Sequence, residues 1–158
     1  MQSGSFVVLL ALALLWTTAA SAVEVVVNAA QPKNEVSRSL ARGIFGMRVR
    51  AWPDGVPVRV FVLEDSRPLH QEFCKSVLQM YPYQLRQNWD RLLYSGTGQQ
   101  PVIVATEDEM MRRVAETPGS IGYVNNLPAP ETPAKTKTKT KPAPLPTPAA
   151  NVKVLHVY

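Results

Sequence analysis

The sequence predicts an α/β domain with a mixed sheet flanked by helices. Three observations lead there. Short Val-rich runs bounded by turn residues recur from residue 23 to residue 157, as strands do. Between them lie amphipathic runs with recognisable start and stop signals. Strands interleaved with helices in this way build a sheet covered by helices rather than a sandwich or a bundle.

Val23 to Asn28 (VEVVVN) reads as a buried strand ending at Ala-Ala-Gln-Pro. Ser37 caps a short helix whose apolar residues Leu40, Ala41, Ile44 and Phe45 fall at helical spacing, and Gly46 stops it. Met47 to Trp52 follows, then a Pro53-Asp54-Gly55 turn. Val58 to Leu63 (VRVFVL) is apolar enough to sit inside a sheet. Asp65-Ser66 opens a helix with Pro68 in its first turn, where a missing N–H does no harm. Its predicted inner face is Leu69, Phe73, Val77 and Met80, and Tyr81-Pro82-Tyr83 breaks it.

A third helix carries Leu85, Trp89, Leu92 and Leu93 and ends at Gly96 and Gly98. Val102 to Val104 is a short strand. Thr106-Glu107-Asp108-Glu109 is a capping box that starts a helix running to Glu116, terminated by Pro118-Gly119. Ile121 to Val124 is a further strand, and Val152 to Val157 alternates as a last one.

Two segments stand apart. Residues 1–22 contain no Asp, Glu, Lys or Arg, and Phe6 to Trp16 is an apolar run of 11 residues followed by Ala20-Ser21-Ala22. This is the layout of a secretory signal peptide with an A-x-A site, predicting cleavage after Ala22 and a periplasmic product. The run is too short to span a bilayer, which takes about 20 apolar residues. Leu127 to Ala150 holds seven prolines and a Lys-Thr alternation from Lys135 to Lys141. With no apolar periodicity it buries too little to offset its ordering entropy, so 127–150 is expected to be a disordered insertion. The domain is then 23–126 plus 151–158.

The net charge is +5, but four lysines belong to that insertion. The remainder is nearly balanced and implies no nucleic-acid partner. The only cysteine, Cys74, excludes an internal disulfide and lies mid-helix beside Phe73, as a buried thiol does. Trp52 and Trp89 are expected in the core.

Nothing matches GxxxxGK[ST] or GxGxxG, so no nucleotide cofactor is indicated. His70 and His156 are remote from each other and lack cysteine partners, so no metal is indicated either. Ser66, His70 and Asp90 make a conceivable hydrolytic triad. However, Ser66 and His70 have ordinary surface spacing on one helix, and no G-x-S-x-G elbow surrounds Ser66. No catalytic residue is therefore assigned. The candidate ligand site is the strand-to-helix junction Glu64-Asp65-Ser66-Arg67, where free N–H groups and the helix dipole favour an anion. Ser66 offers a hydroxyl there and Arg67 a guanidinium fork. Glu64 and Asp65 oppose an anion, and capping alone accounts for Ser66.

Phe45-Gly46, Trp52-Pro53-Asp54-Gly55-Val56-Pro57-Val58, Ser66 before Phe73, Trp89, Ser95-Gly96, Pro101 and Pro118-Gly119-Ser120-Ile121-Gly122-Tyr123-Val124 follow one another in order. In this they resemble short phosphate ABC transporter substrate-binding-like proteins. The resemblance implies a single lobe of a type 2 periplasmic binding protein-like fold, exported, non-enzymatic and suited to phosphate or a related oxyanion. That family's phosphate loop is similar to R-x-x-G-S-G-T. Aligned on Ser66, this chain has Val62, Asp65, Arg67 and Pro68 where the Arg, the glycines and the Thr stand.

Two binding roles follow. In one, the Ser66 helix terminus takes an oxyanion, completed by a second subunit of a homo-oligomer. In the other, the lobe is a repurposed scaffold or interaction subunit of a cell-envelope assembly such as secretion, pilus or motility machinery. A hydrolase using Ser66 and His70 is the rival from the enzyme class.

Overall fold

The computed structural model describes residues 22–96, 99–125 and 151–158. Residues 1–21 of the expected signal peptide, Gly98 and the expected insertion at 127–150 lie outside the described residues.

Among the described residues there are six strands and four helices, in the expected order with one short strand, β2, added. They are β1 (Val23–Asn28), β2 (Glu35–Val36), α1 (Arg38–Phe45), β3 (Arg59–Leu63), α2 (Pro68–Ser76), α3 (Pro82–Tyr94), β4 (Val102–Val104), α4 (Glu107–Glu116), β5 (Ser120–Asn125) and β6 (Val152–Val157). The sheet order is β2-β6-β1-β5-β3-β4. β1 runs antiparallel to both neighbours, β5 and β6, while β3 pairs parallel with β4 and with β5. The carboxyl ends of β3, β4 and β5 therefore share one edge of the sheet, and Val23 joins them there opposite Asn125. β5 and β6 flank β1 in parallel, so the chain leaves the sheet beside Val23 and re-enters it at Val152, opposite Asn28. Parallel strands require such a long return, of a dozen or more residues.

Helices cover both faces. Along β5 the side chains alternate, and the alternation assigns the faces. Tyr123 lies on one face, its ring stacked on Phe73 of α2 at 3.9 Å and tilted against Phe45 of α1. Gly122 lies on the other, where a Cβ would fall 2.5 Å from Met110 Sδ of α4. The sheet thus packs α1 and α2 on one side and α4 on the other, which is why Ile121, Gly122, Tyr123 and Val124 are all buried.

Local signals explain most boundaries. Ser37 Oγ accepts the Leu40 N–H, and the Gly46 N–H closes on Arg42 O. Thr106 Oγ1 accepts the Glu109 N–H, while the Glu109 carboxylate takes the N–H of Ala105, one residue before the cap. Trp52 and Trp89 are buried as expected, their indole N–H groups donating to Gly119 O at 2.8 Å and Phe45 O at 2.7 Å.

Two expectations need correction. α2 is rotated relative to its predicted face: the buried residues are His70, Phe73 and Cys74, with Leu69, Val77 and Met80 only partly buried. The predicted face leaves out His70 because hydropathy ignores hydrogen-bond partners supplied from another strand. Nor does Ser66 cap α2. The cap position is Arg67, with no side-chain bond to the helix.

Candidate functional site

The site occupies the carboxyl edge of β3 and β4, the place where open α/β sheets bind ligands. β3 ends at Leu63, and a tight turn follows in which the Arg67 N–H donates to Glu64 O at 2.9 Å. Pro68 then starts α2. The turn points Ser66 into solvent, and its hydroxyl makes no hydrogen bond among the described residues. Arg67 reaches sideways across the edge, and its guanidinium donates to Ala105 O at the β4–α4 junction. The structure therefore links Arg67 to the next helix start rather than folding it over Ser66.

Asp65 turns the opposite way, towards α2 and α3. Its Oδ2 accepts from Arg86 Nε at 2.9 Å, and the Arg86 guanidinium lies 5.1 Å from the Trp89 ring centroid. This hydrogen bond keeps Arg86 firmly charged, raising its pKa further. Asp65 Oδ1 is buried and has no hydrogen-bond partner among the described residues. His70 Nε2 lies 3.6 Å from it.

His70 is fully buried. The Leu63 N–H donates to Tyr123 Oη at 2.9 Å, and Tyr123 Oη lies 2.5 Å from His70 Nδ1. Oη accepts the Leu63 N–H, and Nδ1 is the acceptor in reach of its own buried hydroxyl proton. This network assigns the remaining imidazole proton to Nε2, facing Cys74 Sγ at 3.5 Å and Asp65 Oδ1. Burial holds the imidazole below its usual pKa; Asp65 opposes this and Arg86 adds to it. Burial, with help from Asp65, pushes the Cys74 thiol up to about 12. Burial likewise raises the Tyr123 phenol, against the Leu63 hydrogen bond.

The arrangement does not assemble the Ser66–His70–Asp90 triad, because both His70 nitrogens are directed at Tyr123, Cys74 and Asp65. Among the described residues no cluster of three His, Cys, Asp or Glu side chains could hold a metal ion. The second helix start on this edge carries its own carboxylates. Glu107, Asp108 and Glu109 fill the first turn of α4; Glu107 accepts the Asn125 N–H at 2.8 Å and Glu109 the Ala105 N–H at 3.1 Å. The Ala105 hydrogen bond, with Arg113 and Arg112, holds Glu109 below the ordinary carboxylate range.

Three solved structures share this architecture. An ABC-type phosphate transport receptor from Vibrio cholerae matches at 16% identity and TM-score 0.50, covering 65% of this chain and 40% of its own. A Clostridium perfringens protein, named as a phosphate ABC transporter substrate-binding protein and solved with bound phosphate, matches at 12% identity and TM-score 0.50, covering 65% and 39%. A protein from Planctomyces limnophilus DSM 3776, named for phosphate binding, matches at 11% identity and TM-score 0.51, covering 86% and 41%. The fold is that of a single periplasmic binding protein lobe.

The lobe spans about two fifths of the length of each of these proteins. No protein-family model matches its sequence, and no curated protein does. Among the described residues no helix is long and apolar enough to cross a membrane.

The paired motifs that carry the sequence resemblance have a structural basis. Trp52 of Trp-Pro-Asp-Gly binds Gly119 of Pro-Gly-Ser-Ile-Gly-Tyr-Val, so the two stretches close on each other. Ser120 Oγ donates to Val114 O and Thr117 O, finishing α4. Sequence reasoning missed the His70 network. Its one available signal was the i, i+4 spacing of His70 and Cys74 around Phe73.

Proposed function

We propose that this lobe is an exported, non-catalytic binding module that works through protein contacts, as an interaction subunit of a cell-envelope assembly. The observation that carries this reading is a set of exposed aromatic and aliphatic side chains on α3 and on the edge strand β4. Tyr81, Tyr83, Leu93 and Tyr94 of α3 and its start, with Val102 and Ile103 of the edge strand, are all exposed, Tyr94 at 88%. Large exposed apolar groups and a sheet's edge strand are features of association surfaces. Tyrosine suits such contacts because it buries a large area with few rotatable bonds.

The test is capture from envelope fractions by the purified protein, by a form lacking residues 128 to 148, and by a Tyr83→Ser, Tyr94→Ser double variant. A partner held by the intact protein and lost with the double variant supports the reading. A monodisperse monomer that captures nothing rejects it.

A second reading has its own support in the exposed Ser66 hydroxyl. It stands before a nine-residue helix with no side-chain cap, on the edge where such folds hold ligands. Here Ser66 and Arg67 bind phosphate or a related oxyanion, Arg67 swinging away from Ala105 to reach it. The carboxylates of Asp65 and of the α4 first turn weigh against this. Calorimetry decides: heat at millimolar phosphate that disappears in Ser66→Ala supports the site, and no heat rejects it.

A further inference from the structure

We propose that His70, held between Tyr123 and Asp65, is a positioning residue that makes the conformation of the 64–67 loop depend on pH. The loop is fixed at two points. At its β3 end the Leu63 N–H is bound by Tyr123 Oη, whose proton His70 Nδ1 accepts. At Asp65, Arg86 holds one carboxylate oxygen, while the other is buried without a hydrogen bond and faces His70 Nε2. The ionisable groups around the imidazole are Asp65 from the loop, Cys74 from α2, Tyr123 from β5 and, through Asp65, Arg86 from α3.

A proton arriving at His70 must take Nδ1, because Nε2 already carries one. Tyr123 Oη then faces two donors, Leu63 N–H and Nδ1–H, and its own O–H loses its acceptor inside the core. A buried unpaired donor is costly. At the same moment the imidazolium is attracted to the unpartnered Asp65 oxygen. The ring is drawn away from the Tyr123 anchor and towards the loop. Acid therefore exchanges the anchor at Leu63 for a closer pair at Asp65, immediately before Ser66.

The sign follows from linkage. His70 takes up a proton less readily in the folded protein than in the unfolded chain. Stability of this region is then fully present above about pH 6.5, the ordinary histidine value, and falls as the pH drops below it. A single linked proton sets the limit at about tenfold in an opening equilibrium per pH unit.

Amide hydrogen exchange on the full protein between pH 7.5 and 5.0, corrected for intrinsic rates, tests the proposal. The amides of Leu63 and Arg67, each hydrogen-bonded at neutral pH, should lose protection by up to about tenfold per pH unit below about 6.5. In His70→Asn, whose amide oxygen can still accept from Tyr123, the same amides should be flat with pH. A flat profile in the natural protein overturns the proposal, as does an equally steep one in His70→Asn. If that variant does not fold, the imidazole nitrogen shifts of the natural protein replace it. They must titrate with the same midpoint as the Leu63 amide, and separate midpoints overturn the assignment. Because the readout needs neither partner nor phosphate, its failure is distinct from failure of the binding roles above.

Discussion

Replacing Gly119 by alanine probes the contact on which the two paired motifs close. Gly119 has φ +76, a left-handed backbone that costs a residue with a Cβ about 1–2 kcal/mol. The added Cβ would also lie 2.5 Å from Pro57 O, a backbone atom, and 2.8 Å from Val56 Cγ1. The Pro57 O contact cannot be relieved by turning a side chain, so the strand-entry turn at Val56–Pro57 must shift. Strain of that kind adds about 1–3 kcal/mol. The total is about 3 kcal/mol. Gly55 supplies the control: its φ is +86, but a Cβ there meets nothing within 4 Å, so Gly55→Ala bears only the conformational cost of about 1 kcal/mol.

The difference between the two variants, about 2 kcal/mol, isolates the steric contribution. Urea unfolding followed by tryptophan fluorescence measures it, since Trp52 binds Gly119 O directly. With a slope of about 1–3 kcal/mol per molar urea, the Gly119→Ala midpoint should lie about 1 M below that of Gly55→Ala. Equal midpoints would refute the reasoning, leaving backbone conformation as the whole effect.

Two further outcomes follow from buried groups. The Cys74 thiol, pushed up to about 12 by burial, should resist an aromatic disulfide reagent at pH 8 and react promptly once urea unfolds the chain; fast labelling of the native protein would contradict its placement. Asn28→Ala removes the Nδ2 bonds to Val114 O and Ala115 O that finish α4, and the Oδ1 acceptor of the Ala30 N–H. It should cost about 2–3 kcal/mol in the same urea assay, and a loss under about 0.5 kcal/mol would show that solvent replaces these bonds freely.

The candidate junction was legible in part. Its position at the end of a central strand could be read from the run Val58 to Leu63 and from Pro68. The behaviour of its side chains could not. Ser66 looked like a cap and stands free, while Arg67 looked available and is held by Ala105, 38 residues away. Nothing near Arg67 in the sequence announces that carbonyl.

By itself the sequence determined the elements whose causes are local. β1, the two ends of α1 and the start of α4 follow from periodicity and from caps that act within four residues, as at Ser37 with Leu40 and Thr106 with Glu109. It also settled that Trp52, Trp89 and Cys74 are core residues, because large apolar groups and an unpaired thiol are best hidden from water. Tertiary structure alone decided the rest. β2 is two residues long and exists only through its pairing with β6, more than 100 positions later. The rotation of α2 depends on Tyr123, 53 residues beyond His70, which lets an imidazole enter the core with both nitrogens directed at polar partners. Periodicity records which side chains avoid water; it does not record which distant strand brings a hydrogen bond to one that would otherwise seek it.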